Sequence, residues 1–363
     1  MDAFATRGFL PSSDPAQAFP AGSKYSVLDE IGTDLPHRLT SPGFRSWAER
    51  LQLPVFDEAV TPESLPLLRL YYLRIGFLAS GYVHQTCMAP THQLPASLAV
   101  PLCNASRLLD RPPMLSYDGY ALYNWFRLDP QGPIALGNLD TLQNFVSLED
   151  ERWFILVHVE IEALAARSLG AILALMRTDA WRDARCVNAA VAAVTDTLRA
   201  QTQVLRRIPE HMSPEVYFAA FRPYIRFFEN VSYQGVPDAG PNHRGETGAQ
   251  SSVIPALVAF LKIPHEPNAL TRHIADMRDY MPSRHRRLLA RLDAAPDIRG
   301  VAEPSIFNAA LDAIAEFRRV HYGWAQQYIA ERVDDPRGTG GTPYVTWLEQ
   351  LIDETLAHRV GAR

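Results

Sequence analysis

Apolar residues recur at helical spacing along most of the second half of the chain. From Ser147 onward, positions three and four residues apart are repeatedly apolar, which is typical of amphipathic helices. The pattern predicts a helix that starts after Ser213-Pro214 and further helices over about 149–176, 182–208, 249–263, 268–280, 283–294, 304–331 and 343–358. Neither strand-like alternation of any length nor an internal repeat occurs in this half of the sequence. We therefore expect a large all-helical domain over residues 146–363.

The first part of the chain is less regular. Residues 1–60 are rich in Pro, Ser and Asp with little periodicity, which predicts extended chain and short turns. Helical spacing predicts one helix over 64–83 and another at Tyr117–Phe126, with a proline-punctuated loop from Cys87 to Pro101 between them. We expect a small, mostly helical N-terminal domain over residues 1–145, and hence an all-α fold for the whole chain.

Composition narrows the class of protein. The chain has 363 residues, of which 47% are hydrophobic, so it can bury a sizeable core. Its net charge of −5 gives no reason to expect a nucleic-acid partner. Three cysteines without CxxC spacing argue against a disulfide framework, and neither a signal peptide nor an apolar run of about 18 residues is present. We expect a soluble cytoplasmic protein with no membrane partner, as a monomer or small homo-oligomer.

Two histidines lie on the apolar faces of predicted helices. His321 belongs to a stripe made by Phe307, Leu311, Ile314, Phe317, Trp324 and Tyr328. His158 shares a face with Phe154, Ile161 and Ala165, and Glu160 and Glu162 on its helix are expected to face water or cap a neighbour. Such a histidine is more often a core residue bonded to a carbonyl, yet an imidazole on an apolar helix also holds haem iron. Two of them permit partners on both sides of one planar cofactor.

Arg222 lies in an aromatic segment, Tyr217-Phe-Ala-Ala-Phe-Arg-Pro-Tyr224. An arginine among aromatic rings can stack while its planar fork binds a carboxylate through two hydrogen bonds. Pro223 is expected to kink or end the helix, which places Arg222 at an irregular point facing a cavity. A surface salt bridge is the alternative that the residues leave open.

Two loops rich in small residues complete the candidate chemistry. They are Gly245-Glu-Thr-Gly-Ala-Gln-Ser-Ser252 and Gly338-Thr-Gly-Gly-Thr342. Their backbone amides and hydroxyl groups can hold carboxylates or phosphates, but neither has the spacing of a nucleotide-binding loop. On their own they are weak signals.

The order of these segments resembles the indoleamine 2,3-dioxygenase family of haem enzymes over about residues 64–355. The segments that carry the resemblance are Arg111-Pro-Pro-Met-Leu-Ser-Tyr117, Asn124-Trp125, Trp153-Phe-Ile-Leu-Val-His-Val-Glu160, Phe221-Arg222, Gly248-Ala-Gln-Ser-Ser-Val253, Met277-Arg-Asp-Tyr-Met-Pro-Ser-Arg-His-Arg286, Arg318-Arg-Val-His321 and Gly338–Thr342. The histidine four residues after Phe154 resembles the related tryptophan 2,3-dioxygenases, so the chain is similar to a bacterial-type member with a distal histidine.

The resemblance implies a b-type haem with its iron on His321, and a small domain that covers the distal side of the haem. It implies dioxygenation of L-tryptophan or a close indole by O2 to N-formylkynurenine, a step of tryptophan breakdown in the kynurenine pathway. The implied contacts are Tyr117, Phe154 and Tyr217 on the distal wall, His158 as a catalytic residue, Arg222 on the substrate carboxylate, Thr247 at the haem edge, Gly248 at both haem and substrate, and Thr339 and Thr342 at the polar head of the substrate. A haem monooxygenase, another tryptophan-modifying enzyme and a non-catalytic haem protein are the alternatives on the same fold.

The sequence also departs from the family pattern. Mammalian-type members carry a serine on the distal helix where this chain has His158. An acidic residue that supports the proximal side in family members falls on Val258, which implies different tuning of the haem. The segment between His321 and Gly338 is short, which implies a smaller lid.

Overall fold

The computed structural model of the protein describes residues 3–267, 269–332 and 344–361. Its helices are α1 Ala3–Arg7, α2 Val27–Leu39, α3 Phe44–Glu49, α4 Leu65–His84, α5 Ala96–Leu108, α6 Glu149–Thr178, α7 Ala184–Leu205, α8 Pro214–Val216, α9 Val253–Leu261, α10 Ala269–Arg278, α11 Ser283–Asp293, α12 Pro304–Tyr328 and α13 Tyr344–Ala357. Two-residue strands form two small pairs: β1 (Gln93–Leu94) lies parallel to β4 (Ser232–Tyr233), and β2 (Phe126–Arg127) lies antiparallel to β3 (Leu139–Asp140). The predicted all-α class is confirmed.

The prediction of extended chain for residues 1–60 is wrong, because α1, α2 and α3 lie there. Helix α2 buries Leu28, Ile31, Leu35 and Leu39, a helical repeat hidden among polar residues and a proline. This face packs on α4. Burial of one apolar face outweighs the weak helix propensity of the segment.

The predicted loop from Cys87 to Pro101 is also wrong at its end. Helix α5 starts at Ala96 and continues through Pro101, which is itself buried. Leu98, Leu102 and Ala105 on the same helix are completely buried, and α5 packs on α4. This packing offsets the hydrogen bond that proline cannot donate.

Two predicted helices take irregular forms. At Tyr117–Phe126 the chain makes a single π turn, Asp118–Leu122. After Ser213 it runs through α8, a π turn at Tyr217–Phe221 and a 3-10 turn at Arg222–Ile225. The Ser213 hydroxyl accepts a hydrogen bond from the Val216 N–H at 3.1 Å, as expected of an N-cap. The expected irregular point at Arg222 is therefore confirmed.

The long helices α6 and α12 each pack mainly against two other helices. Helix α6 packs on α1 and α7, and α12 packs on α7 and α13. The α12 stripe joins two apolar clusters: Phe307, Leu311 and Ile314 lie in one, and Trp324 and Tyr328 lie in the other. His321 lies between them along the helix. The domain boundary at residue 145 stays a prediction, and in the part of the chain that the structure describes no helix is long and apolar enough to cross a membrane.

Candidate active site

The His158 ring lies on α6, half-buried, and is held by its own helix. Its Nδ1 donates to the Phe154 carbonyl oxygen at 2.7 Å, so Nε2 carries the lone pair of the neutral ring. Burial lowers the pKa of His158, against a smaller opposing effect of that hydrogen bond. His158 is therefore a neutral acceptor whose orientation is fixed by the helix.

His321 on α12 is in a different situation. Its surface is exposed to water, yet burial, together with the positive charge that His158 can carry, lowers its pKa to about 4. The charge of the His158 ring acts on His321, so the two imidazoles lie near each other although they are carried by different helices, α6 and α12. No hydrogen bond joins the His321 ring to a residue that the structure describes. The core-histidine interpretation thus fits His158 and not His321.

Aromatic rings surround His158. The centroid of the Phe154 ring is 4.5 Å from that of His158, and the Tyr117 ring is 6.0 Å away. Tyr217 lies 5.7 Å and Phe221 5.8 Å from Phe154. The three predicted wall residues Tyr117, Phe154 and Tyr217 thus belong to one chain of ring contacts that runs through His158 and Phe154.

Arg222 is buried beside this aromatic group, with 7% of its surface exposed, so the surface salt-bridge interpretation is wrong. Its guanidinium carbon lies 5.5 Å from the centroid of the Phe218 ring. Burial raises the pKa of Tyr217, and Arg222 opposes this rise through its charge and a hydrogen bond. The guanidinium therefore lies at the Tyr217 hydroxyl.

Close packing at Gly245 and hydrogen bonds of Gln250 hold the loop at residues 245–252 in place. A Cβ atom at Gly245 would lie 2.4 Å from the Ile225 carbonyl oxygen, so only glycine fits there. The Gln250 amide donates to the Gly245 carbonyl at 2.9 Å, and its oxygen accepts from the Tyr117 N–H at 2.8 Å. Thr247 caps the 3-10 turn Gly248–Gln250 through a hydrogen bond from the Ala249 N–H at 3.4 Å. The loop is thereby fixed to the segments that carry Arg222 and Tyr117.

Gly248, by contrast, is open. It is exposed, and a Cβ atom built there meets no atom within 4 Å. A flat group can therefore lie against the backbone at this point.

Glu162 is the residue that sequence reasoning misplaced, because it is completely buried rather than facing water. It accepts hydrogen bonds from the Tyr117 hydroxyl at 2.8 Å and from the Ser251 hydroxyl at 2.5 Å. Burial nevertheless raises its pKa to about 7. The available signal was its spacing, since it follows His158 by four residues and so shares its helix face. Glu162, Ser251 and the buried Glu246 were not predicted as site residues.

The arrangement fits a planar iron cofactor between α6 and α12. The His321 imidazole on α12, without a hydrogen-bond partner among the described residues, lies near the His158 imidazole on α6. Aromatic rings contact His158, and Gly248 offers an open backbone position. Thr339, Thr342 and the rest of the Gly338–Thr342 loop lie outside the described residues.

A family model described as indoleamine 2,3-dioxygenase matches residues 2–334. The chain belongs to the indoleamine 2,3-dioxygenase family. It is similar to indoleamine 2,3-dioxygenase 1 of Rattus norvegicus, with 26% identity over 382 residues that cover 92% of this chain and 94% of the relative. Indoleamine 2,3-dioxygenase nanC of Aspergillus nanangensis is 28% identical over 389 residues, or 96% and 94% of the two chains. 6-hydroxytryptophan 2,3-dioxygenase fscD of Fusarium equiseti is 25% identical over 392 residues, or 97% and 95%.

The predicted family is thus confirmed for nearly the whole chain, while its placement as a bacterial-type member stays a prediction. Val258, at the position where indoleamine 2,3-dioxygenases were expected to carry an acid, is half-buried and packs against the cluster around α9. Burial and His158 account for the lowered pKa of His321, and no carboxylate of the described residues contributes to it.

Proposed function

We propose that the protein is a haem-dependent dioxygenase that opens the pyrrole ring of L-tryptophan or a close indole amino acid. Both atoms of O2 enter across the indole C2=C3 bond, which gives N-formylkynurenine. Membership of the indoleamine 2,3-dioxygenase family supports this activity, and relatives named for indoleamine and for 6-hydroxytryptophan support an indole substrate. The observation that carries the proposal is His321, which lies near His158 of another helix and makes no hydrogen bond to a described residue.

His321 holds the iron of a b-type haem in this proposal. Its neutral imidazole is suited to ligation, because burial keeps its pKa near 4. Bound haem supplies the iron that activates O2, and the protein supplies binding, orientation and a water-excluding site. Thr247 and Gly248 lie against the haem edge, where the open space at Gly248 accommodates it.

Arg222 anchors the carboxylate of the substrate. A buried guanidinium can bind a carboxylate through two charge-assisted hydrogen bonds, worth on the order of 2–3 kcal/mol. That contribution favours amino acids over bare indole by about a hundredfold. Tyr117, Phe154 and Tyr217 orient the indole ring, and Thr339 and Thr342 contact its polar head in this proposal.

His158 positions the indole rather than holding the iron. Its Nε2 lone pair is available because Nδ1 donates to the Phe154 carbonyl oxygen. A neutral imidazole in that orientation accepts a hydrogen bond from the indole N–H. We further propose that the enzyme acts in the cytoplasm as a monomer or small homo-oligomer.

Reconstitution with haem tests the proposal. The ferrous wild-type protein is mixed with L-tryptophan in air, and the near-ultraviolet absorbance of N-formylkynurenine is followed. We expect one haem per chain, product formation, and loss of most haem in His321→Ala. His37→Ala is the matched control, since the His37 side chain is 88% exposed. Full haem retention with an unchanged ferrous spectrum in His321→Ala contradicts the ligand assignment, and absence of product from the haem-loaded wild type contradicts the activity.

A further inference from the structure

Glu246 is a buried carboxyl group that the proposed function does not use. It lies in the loop between Gly245 and Thr247, and only 2% of its surface is exposed. Neither a hydrogen bond nor an ion pair joins it to another residue in the ranges 3–267, 269–332 and 344–361. Burial raises its pKa to about 8, and no cation of the described residues opposes this rise.

The other buried acids near the site each have partners on at least one carboxylate oxygen, although Oδ1 of Asp118 and Oε2 of Glu162 accept no hydrogen bond from a described residue. Asp118 pairs with Arg69 and Arg111. Glu151 accepts hydrogen bonds from the Phe145 and Val146 N–H groups at 2.9 and 2.8 Å. Glu162 accepts from two hydroxyl groups, as described above. Buried polar groups in folded proteins normally have partners, and an isolated one points to a ligand that supplies them.

Glu246 follows Gly245, which packs against the Ile225 carbonyl three residues after Arg222. Its loop also holds Gln250, whose side-chain oxygen accepts from the Tyr117 N–H at 2.8 Å. The loop therefore lies at the proposed substrate end of the site.

The charge of Glu246 acts on Tyr117 and Tyr217, which belong to the chain of ring contacts through His158, and on Tyr120. Tyr217 is also the residue on which Arg222 acts. A guanidinium and a carboxyl group from two different segments therefore both act on Tyr217.

We propose that Glu246 binds the α-ammonium group of the substrate, while Arg222 binds its carboxylate. This inference rests on the proposed function, because it assigns the second charge of the amino-acid substrate to a residue of this chain. A zwitterion places its carboxylate at the buried guanidinium and its ammonium group at the ionised Glu246 carboxylate, whereas an indole acid without an amine leaves the carboxyl group of Glu246 protonated and without a partner. Glu246 is thus a specificity-determining residue that selects amino acids over indole carboxylic acids.

The carboxyl group must ionise to hold an ammonium group. Because its pKa in the ligand-free protein is about 8, it holds a proton at neutral pH. Binding of L-tryptophan then releases one proton, so affinity rises by up to about tenfold per pH unit below pH 8. The groups that face it, Tyr117, Tyr120 and Tyr217, have raised pKa values and stay neutral in this range.

Ligand binding to the ferric holoenzyme tests the inference independently of turnover. The Soret shift is titrated with L-tryptophan and with indole-3-propionate, which keeps the carboxylate and lacks the amine. Glu246→Gln keeps the shape and removes the charge, and Glu229→Gln, at an exposed position, is the matched control. We expect Glu246→Gln to weaken L-tryptophan binding about ten- to a hundredfold, the range for one charge-assisted hydrogen bond, and to leave indole-3-propionate binding unchanged or tighter.

Equal losses for the two ligands, or no loss for L-tryptophan, overturn the inference. The wild type provides a second measurement that no folding defect can affect: the dissociation constant of L-tryptophan falls between pH 6.5 and 8, and that of indole-3-propionate does not. A parallel pH dependence for both ligands overturns the inference. If the wild type turns over L-tryptophan while either test fails, only the role of Glu246 is wrong. If the haem-loaded wild type neither binds nor converts L-tryptophan, the proposed function itself is wrong.

Discussion

Adding one methyl group at Gly245 tests the structural role of its loop, and adding one at Gly248 tests the part of the same loop that faces the proposed cofactor. In Gly245→Ala the new Cβ atom lies 2.4 Å from the Ile225 carbonyl oxygen, 2.5 Å from the Arg226 carbonyl carbon and 2.5 Å from the Phe227 nitrogen. All three are backbone atoms, so no side chain can turn away. The loop and the 225–227 segment must move apart by several tenths of an ångström at least.

The energetic effect follows from this overlap. Overpacking by one methyl group in a rigid environment costs about 1–3 kcal/mol. Unfolding entropy near 2.1 cal/mol/K per residue gives a chain of 363 residues a Tm change of roughly 1.3 °C per kcal/mol. The expected fall in Tm is therefore about 1–4 °C. Because the displaced segment follows Arg222, KM for L-tryptophan should rise as well.

Gly248→Ala is the internal control, three residues along the same loop. Its new Cβ atom meets nothing within 4 Å, so stability should stay the same or rise by a few tenths of a kcal/mol. Thermal unfolding of the haem-free protein, followed by circular dichroism, measures both variants. Equal Tm values for the two variants would refute the close approach at Gly245, and a large loss in Gly248→Ala would refute the open space.

Three further predictions concern the site. Arg222→Lys keeps the charge and loses the planar fork, so it should raise KM for L-tryptophan steeply and leave the haem content unchanged. Tryptamine, which lacks the carboxylate, should be a poor substrate of the wild type. Equal turnover of tryptamine and L-tryptophan by the wild type contradicts the binding of the carboxylate by Arg222. His158→Ser should keep some activity and shift the kcat/KM ratio toward 1-methyl-tryptophan, whereas an unchanged ratio with full activity returns His158 to a core role. Burial lowers the pKa of His158 below 6.5, so the ring loses its neutral, accepting form only as the pH falls through that lowered value. We therefore expect kcat to stay constant as the pH falls to 6.5. A loss of kcat on the acid side that is centred above pH 6.5 contradicts the role of His158 as a neutral acceptor.

The sequence predicted the second half of the fold well, because long helices with one apolar face repeat over many turns. Helix α6 was predicted over 149–176 and runs over Glu149–Thr178. Helix α2 was missed because its four buried apolar side chains are spread among charged residues and a proline, and only their contact with α4 makes the helix stable. Local patterns predict elements that bury a wide stripe, and they fail where a narrow stripe depends on a distant partner.

The same limit applies to the two histidines. His158 and His321 have the same signature in the sequence, one imidazole among apolar residues at helical spacing. The difference between them lies in a hydrogen bond. His158 donates from Nδ1 to the carbonyl oxygen four residues earlier, whereas His321 has the corresponding residue, Phe317, without such a bond.

A histidine that bonds to its own helix can present only Nε2 to a ligand, and the direction of that lone pair is fixed. An imidazole without this bond keeps both nitrogens for ligand and partner. In the proposed function, His158 is therefore the hydrogen-bond acceptor with a fixed direction, and His321 is the metal ligand. Glu246 and Arg222 have similarly distinct proposed roles toward the substrate, since a carboxyl group and a guanidinium from separate segments both act on one tyrosine. The specificity of the site thus depends on groups that no short motif brings together, which is why the fold had to be known before Glu246 could be recognised.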